Sequence, residues 1–285
     1  MKKAVLMIIG VIMISVMLPI SARADMGPKP SVIIDFNGLD GEVYFATLLS
    51  QTKSTGPHSA GNTYQEYMGN YDAFLKFSEY EDVDGYYFLC FYQDCSETSQ
   101  FSWTYYPPQE FKLLLYFPGT DTFIVSNEIY ERYAFDSYFT AEIMGQGDDL
   151  SAYASITLLK SYRYTNEIIS LVIRILLTIA IELAIALLFD LRGKSVFRFI
   201  ALTNIATQIA LNLALNIINF HMGMLAFIVF YILLEVVVFV IESILYVAYL
   251  QKEYSKRKLI VYALSANTAS FALGLLLAIW IPGVF

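Results

Sequence analysis

The chain has 285 residues, 57% hydrophobic and only 15% charged, with a formal net charge of −8. That is too apolar for an ordinary soluble domain. Residues 25–165 carry 20 acidic and 7 basic side chains, and residues 166–285 carry 6 and 8. The two halves suit different solvents, and the acidic first half repels phosphate, which excludes nucleic acid as a partner.

The N-terminus reads as a secretory signal over residues 1–24. Lys2 and Lys3 open it, an apolar run follows to Ile20 with a breaking Pro19, and Ala22-Arg23-Ala24 forms an A-x-A cleavage site. An uncleaved anchor is the alternative, because the apolar run is slightly short of a full span. Both readings put the next domain outside the cytoplasm.

Residues 25–165 read as a β-rich extracytoplasmic domain. Strand-like runs fall at 31–36, 42–49, 86–92, 101–106, 111–117, 122–126 and 133–143, punctuated by Asn37-Gly38, Pro107-Pro108 and Pro118-Gly119. Ala73, Phe74, Phe77 and Tyr80 have the spacing of one short helix. Seven strands and a helix without βαβ alternation predict a β-sandwich-like fold rather than a parallel sheet. Residues 50–70 read as a long polar loop, and 146–151 as the start of a tether. Asp82-Val83-Asp84-Gly85 lacks the further ligands of a calcium loop and reads as a tight turn. The two cysteines, Cys90 and Cys95, form either a disulfide or two reduced thiols. His58 and His221 read as solvated. Seventeen of the 22 tyrosines lie in residues 25–165; they fill the β core or line an exposed sugar- or peptide-binding face.

Residues 166–285 predict four transmembrane helices, at 168–189, 199–220, 224–250 and 259–281, each long enough for a hydrocarbon core of about 30 Å. Arg192, Lys194 and Arg198 lie in the first link, and Lys252, Lys256, Arg257 and Lys258 in the last. The link at His221-Met222-Gly223 has no Lys or Arg, so positive-inside bias leaves residues 25–165 outside.

Three strings resemble an uncharacterised family of Gram-positive bacterial membrane proteins: Asp25-Met26-Gly27-Pro28-Lys29-Pro30-Ser31, Trp103-Thr104-Tyr105-Tyr106-Pro107-Pro108, and Tyr133-Ala134-Phe135-Asp136-Ser137-Tyr138-Phe139. The third span, with Glu235 and Glu242, fits the same resemblance. It implies this architecture and no activity.

Polar residues are segregated on the expected spans. Ser170, Arg174, Thr178 and Glu182 recur every four residues on the first. Asn204, Gln208, Asn212, Asn216 and Asn219 share an arc of the second. Tyr231, Glu235, Glu242 and Tyr246 mark the third, and Ala263, Asn267, Ser270, Gly274 and Ala278 give the fourth a small-residue seam. Helical rise puts Glu182, Asn204, Glu242 and Asn267 at one depth and Arg174, Asn212 and Glu235 farther out. Intramembrane ionisable groups are functional candidates by default. The full set expected to form a polar cluster is Arg174, Glu182, Asn204, Gln208, Asn212, Asn216, Glu235, Glu242 and Asn267.

No metal, phosphate-loop or nucleophile-elbow motif is present, so no cofactor and no enzymatic activity are expected. The function predicted is an extracytoplasmic binding or sensing domain anchored in the lipid bilayer, its partner a ligand or another membrane protein. The alternative is a small proton- or cation-coupled transporter or channel subunit that uses the intramembrane carboxylates.

Overall fold

The computed structural model describes residues 27–144, 155–162 and 164–280. The signal segment at 1–24 and the tether at 146–151 lie outside these residues.

The chain is α+β, with β-sheets first and long helices after them. One sheet runs in the order β12 (Ser155–Lys160), β11 (Asp136–Met144), β1 (Ser31–Asn37), β7 (Gln100–Trp103). The other centres on β2 (Phe45–Ser50) and β8 (Glu110–Phe117). β9 (Thr122–Val125) and β10 (Tyr130–Glu131) join β8, while β5 (Tyr87–Phe88) and β6 (Gln93–Asp94) join β2.

β8 explains the layering. Phe111, Leu113, Leu115 and Phe117 enter a core shared with Val32, Ile34 and Phe36 of β1 and with Trp103 and Phe139. Leu114 and Tyr116 point the other way, onto Ala73, Phe74 and Phe77 of helix α1 (Tyr71–Glu79). Both faces of β8 are covered, so it reads as an unbroken apolar run instead of an alternation. α1 starts where Asn70 Oδ1 accepts a hydrogen bond from the Ala73 amide at 3.0 Å.

Four expectations change. β1 pairs in parallel with β11. The crossover between them is made by the whole second sheet and α1 rather than by one helix, which is why no βαβ pattern announced it. β12, which pairs antiparallel with β11, was read as part of the approach to the membrane. The strand at 86–92 is split into β5 and β6: Phe88 faces Leu49 and Gln93 faces Ala46. The extra residues form a bulge in which Cys90 takes φ 57°. The loop at 50–70 contains a hairpin of β3 (Ser54–Thr55) and β4 (His58–Ser59) and a 3-10 turn at Glu66–Met68.

Three long helices follow: α2 (Tyr164–Leu188), α3 (Lys194–Leu250) and α4 (Lys256–Trp280). Among the described residues, α2 (over Glu167–Leu188) and α3 are long and apolar enough to cross a membrane. α2 ends in a Schellman motif. Leu191 donates to the Ala186 carbonyl and Asp190 to that of Leu187, with Asp190 at φ 51° where glycine is usual.

α3 is not straight. Gly223 has φ 79°, ψ 179°, and its two arms, 194–222 and 224–250, fold back on each other. Phe199 stacks on Tyr249 with centroids 4.0 Å apart; an unbroken helix would separate them by about 75 Å. The arms match the expected segments 199–220 and 224–250, so four helical segments pack together.

Sheet and helices meet at the Gly223 turn. The Phe135 amide donates to the Phe220 carbonyl at 2.8 Å. Phe220 also packs against Tyr133 and Tyr162, with centroids at 6.2 and 5.5 Å.

Candidate functional site

The helical segments converge on two polar layers. In the layer nearer the basic links, Glu182 Oε2 accepts from Asn204 Nδ2 at 2.7 Å, from the Tyr246 hydroxyl at 2.9 Å and from the Tyr262 hydroxyl at 3.4 Å. Glu242 accepts from Thr207 Oγ1 at Oε1 and from Asn267 Nδ2 at Oε2, both at 2.7 Å. All of these side chains are buried. Asn204 and Asn267 use one amide hydrogen on the carbonyl four residues back, Ile200 and Ala263 respectively. The second hydrogen is thereby aimed across the bundle at a carboxyl group. Two buried oxygens here, Glu182 Oε1 and Asn204 Oδ1, have no donor among the described residues.

The layer nearer the Gly223 turn is hollow. Arg174 donates to Asn212 Oδ1 at 3.2 Å and lies over the Phe227 ring at 5.9 Å. Arg174, Gln208, Asn212, Glu235 and Tyr231 line a cavity of about 290 Å³ whose other walls are mainly apolar. Asn212 repeats the back-bond, donating to the Gln208 carbonyl at 2.8 Å. Asn216, one turn farther along, is half-buried and does not line the cavity.

The depth grouping read from helical rise therefore corresponds to real contacts: Glu182 with Asn204, Glu242 with Asn267, Arg174 with Asn212. Thr207 and Tyr262 were missed. Thr207 lies one turn from Asn204, a signal available in the sequence. Tyr262 carries none, because a tyrosine near a helix end looks like a membrane-interface anchor.

The β domain holds a second place of interest. An open cleft of about 910 Å³ lies between α1, the segment at 60–64 and residues 80–90. Tyr64, Tyr71, Tyr80, Tyr86 and Tyr87 line it, and Tyr71 and Tyr87 are exposed. Tyr64 meets Tyr71 and Phe74 edge-on, with centroids at 4.9 and 5.3 Å. Tyr86 is held from behind by the buried Lys112, whose ammonium lies 5.1 Å from the ring centroid.

Lys112 bonds to both Asp82 oxygens, at 3.1 and 3.0 Å, and to Asp84. Burial pushes its ammonium down, but the Asp84 and Asp82 carboxylates outweigh that and hold it above the ordinary lysine value. The turn at 82–85 closes through the Gly85 amide on the Asp82 carbonyl at 3.0 Å, with Gly85 at φ 77°.

Cys90 and Cys95 are both free and buried. The bulge sends Cys90 to the α1 side of the sheet and Cys95 to the inter-sheet core, so the disulfide alternative gives way to two thiols. Burial pushes the Cys95 thiol up to about 12. His58, expected to be solvated, is half-buried between Phe91 and Trp103, each 5.0 Å away between centroids. Burial holds its imidazole below the usual value.

Both places offer the chemistry of binding: aromatic faces in the cleft, and amide, hydroxyl and charged groups inside the bundle. Compared with protein-family models, curated proteins and solved structures, the chain matches none.

Proposed function

We propose that the protein is a multi-pass cell-membrane protein whose β domain faces outside and binds a carbohydrate in the tyrosine-lined cleft. The helices anchor that domain. Support for the anchor comes from two helices of membrane-crossing length and composition, and from basic residues concentrated at the two links opposite the Gly223 turn.

The observation that carries the binding reading is the cleft itself, where Tyr71 and Tyr87 expose ring faces above a floor fixed by Lys112 and Asp82. Tyrosine gives large rigid contact area with a polar tip, which suits the apolar face and hydroxyl rim of a sugar. The test is a glycan array and a peptide array probed with the full chain in lipid nanodiscs. Tyr71→Ala and Tyr87→Ala should each weaken glycan capture at least ten-fold with unchanged melting. Capture of no glycan, or equal capture by both variants, rejects the reading.

One observation supports the transport alternative: Glu182 Oε1 and Asn204 Oδ1 form a buried oxygen pair with no donor among the described residues, suited to a proton or a cation. Proteoliposomes should then show a proton or cation flux that Glu182→Gln abolishes. No flux with folded protein leaves Glu182 as a tie between helices.

A further inference from the structure

We infer that the cavity between Arg174 and Glu235 is a binding site for a small zwitterion with an apolar body, a molecule carrying one carboxylate or phosphate group and one primary ammonium close together. The inference is independent of the carbohydrate reading, because the cleft and this cavity share no residue.

Size sets the first limit. About 290 Å³ is at the low end of small-molecule pockets, which span roughly 300–1,000 Å³. The space exists because α4 presents Ser270 and Gly274 to it. A Cβ on Gly274 would already stand 3.4 Å from the Tyr231 hydroxyl.

Charge sets the second. The cavity contains one guanidinium and one carboxylate. A simple anion drawn to Arg174 meets repulsion from Glu235, and a simple cation drawn to Glu235 meets repulsion from Arg174. A zwitterion satisfies both in a low-dielectric interior, where unmatched charge is most costly. Asn212 holds the guanidinium in place by accepting from it. Near Glu235, the Phe227 and Tyr231 rings stack with centroids 6.2 Å apart, and Phe271 lies 5.4 Å from Tyr231. Such a wall suits an apolar body and an ammonium group.

Access sets the third. Met224, Ile228 and Ile232 line the cavity and are also exposed on the outside of the bundle. Met224 follows the Gly223 turn directly, and Glu235 lies about 16 Å deeper at helical rise. The site opens both toward the turn and toward lipid. A free amino acid and the head of an aminophospholipid share the required chemistry.

The experiment uses the full chain in nanodiscs. In phosphatidylglycerol-only discs, binding of radiolabelled L-leucine and L-phenylalanine is measured. In discs with added phosphatidylethanolamine, native mass spectrometry reads retained lipid. The expected result is saturable binding of an amino acid or selective retention of phosphatidylethanolamine. Ser270→Leu, which fills the cavity and keeps both charges, should reduce that signal at least ten-fold with intact melting, and Tyr71→Ala should leave it unchanged. Absence of both signals in folded wild-type protein overturns the inference, as does an undiminished signal in folded Ser270→Leu.

Discussion

The ring of Phe135 stands where a side chain on Gly223 would begin: its Cδ1 and Cε1 lie 2.5 Å from the position of a Cβ there. A residue of the β domain thus wedges into the turn that folds α3 back on itself, and the Phe135 amide seals the contact on the Phe220 carbonyl. Gly223 is required twice over, by its φ of 79° and by the space the ring takes.

Gly223→Ala should therefore be severe. The backbone conformation alone costs roughly 1–3 kcal/mol for a residue with a side chain, and the clash adds to it. The double change with Phe135→Ala should recover the clash and leave the backbone cost. Thermal melting of purified protein distinguishes the two; a single mutant that melts like wild type denies that the ring fills that space.

Glu182→Gln should fold and melt close to wild type, because an amide oxygen can still accept from Asn204 and Tyr246. Glu182→Leu leaves those donors and Tyr262 without their acceptor, at about 1–3 kcal/mol for each buried group. Equal melting of the Leu and Gln variants would show that the layer contributes no stability.

Lys112→Met strands the buried Asp82 carboxylate and should cost about 3–5 kcal/mol, with Lys112→Met/Asp82→Asn milder than the single change. The pH dependence has a definite sign. Because the folded lysine sits above its ordinary value, its contribution is complete below about pH 10.4 and is lost as pH rises through the folded value. Calorimetric melting of wild type should fall toward that of Lys112→Met only at strongly alkaline pH. Parallel curves at all pH values would contradict the pairing.

A buried thiol with its pKa pushed up to about 12 has almost no thiolate at pH 8, so Cys95 should resist alkylation in the native protein. Cys90, also raised by burial, should react slowly. Denaturant should release two thiols in mass spectrometry after labelling; a native mass two hydrogens lighter, restored by reductant, would show a disulfide instead.

Protease added to intact protoplasts should remove the β domain and spare the link containing Arg192, Lys194 and Arg198. Cleavage in that link with the β domain intact would invert the proposed orientation.

Local pattern was enough to read the two-part design, the strands at 31–36 and 111–117, α1, and the glycine that divides α3. Each shows in apolar periodicity, in run length, or in punctuation by Gly and Asn. Helical spacing and rise also placed Glu182, Asn204, Glu242 and Asn267 at one level, because an α-helix converts sequence distance into depth at a fixed rate. Which side chains meet across that level was decided only by packing. Thr207 and Tyr262 complete the layer from positions whose neighbours in the chain give no hint of a carboxyl partner.

The same division holds in the β domain. The β1–β11 parallel pairing joins segments about a hundred residues apart, and β12 shows itself as a strand only by its partner β11. The bulge that separates Cys90 from Cys95 arises from how residues 88–93 pair with β2, not from their spacing. Composition and periodicity determined which segments are apolar, extended or helical, because those are properties of neighbours along the chain. Tertiary structure alone decided the cleft, the cavity and the Phe135–Gly223 wedge, because each exists only where residues distant in sequence exclude one another from the same space.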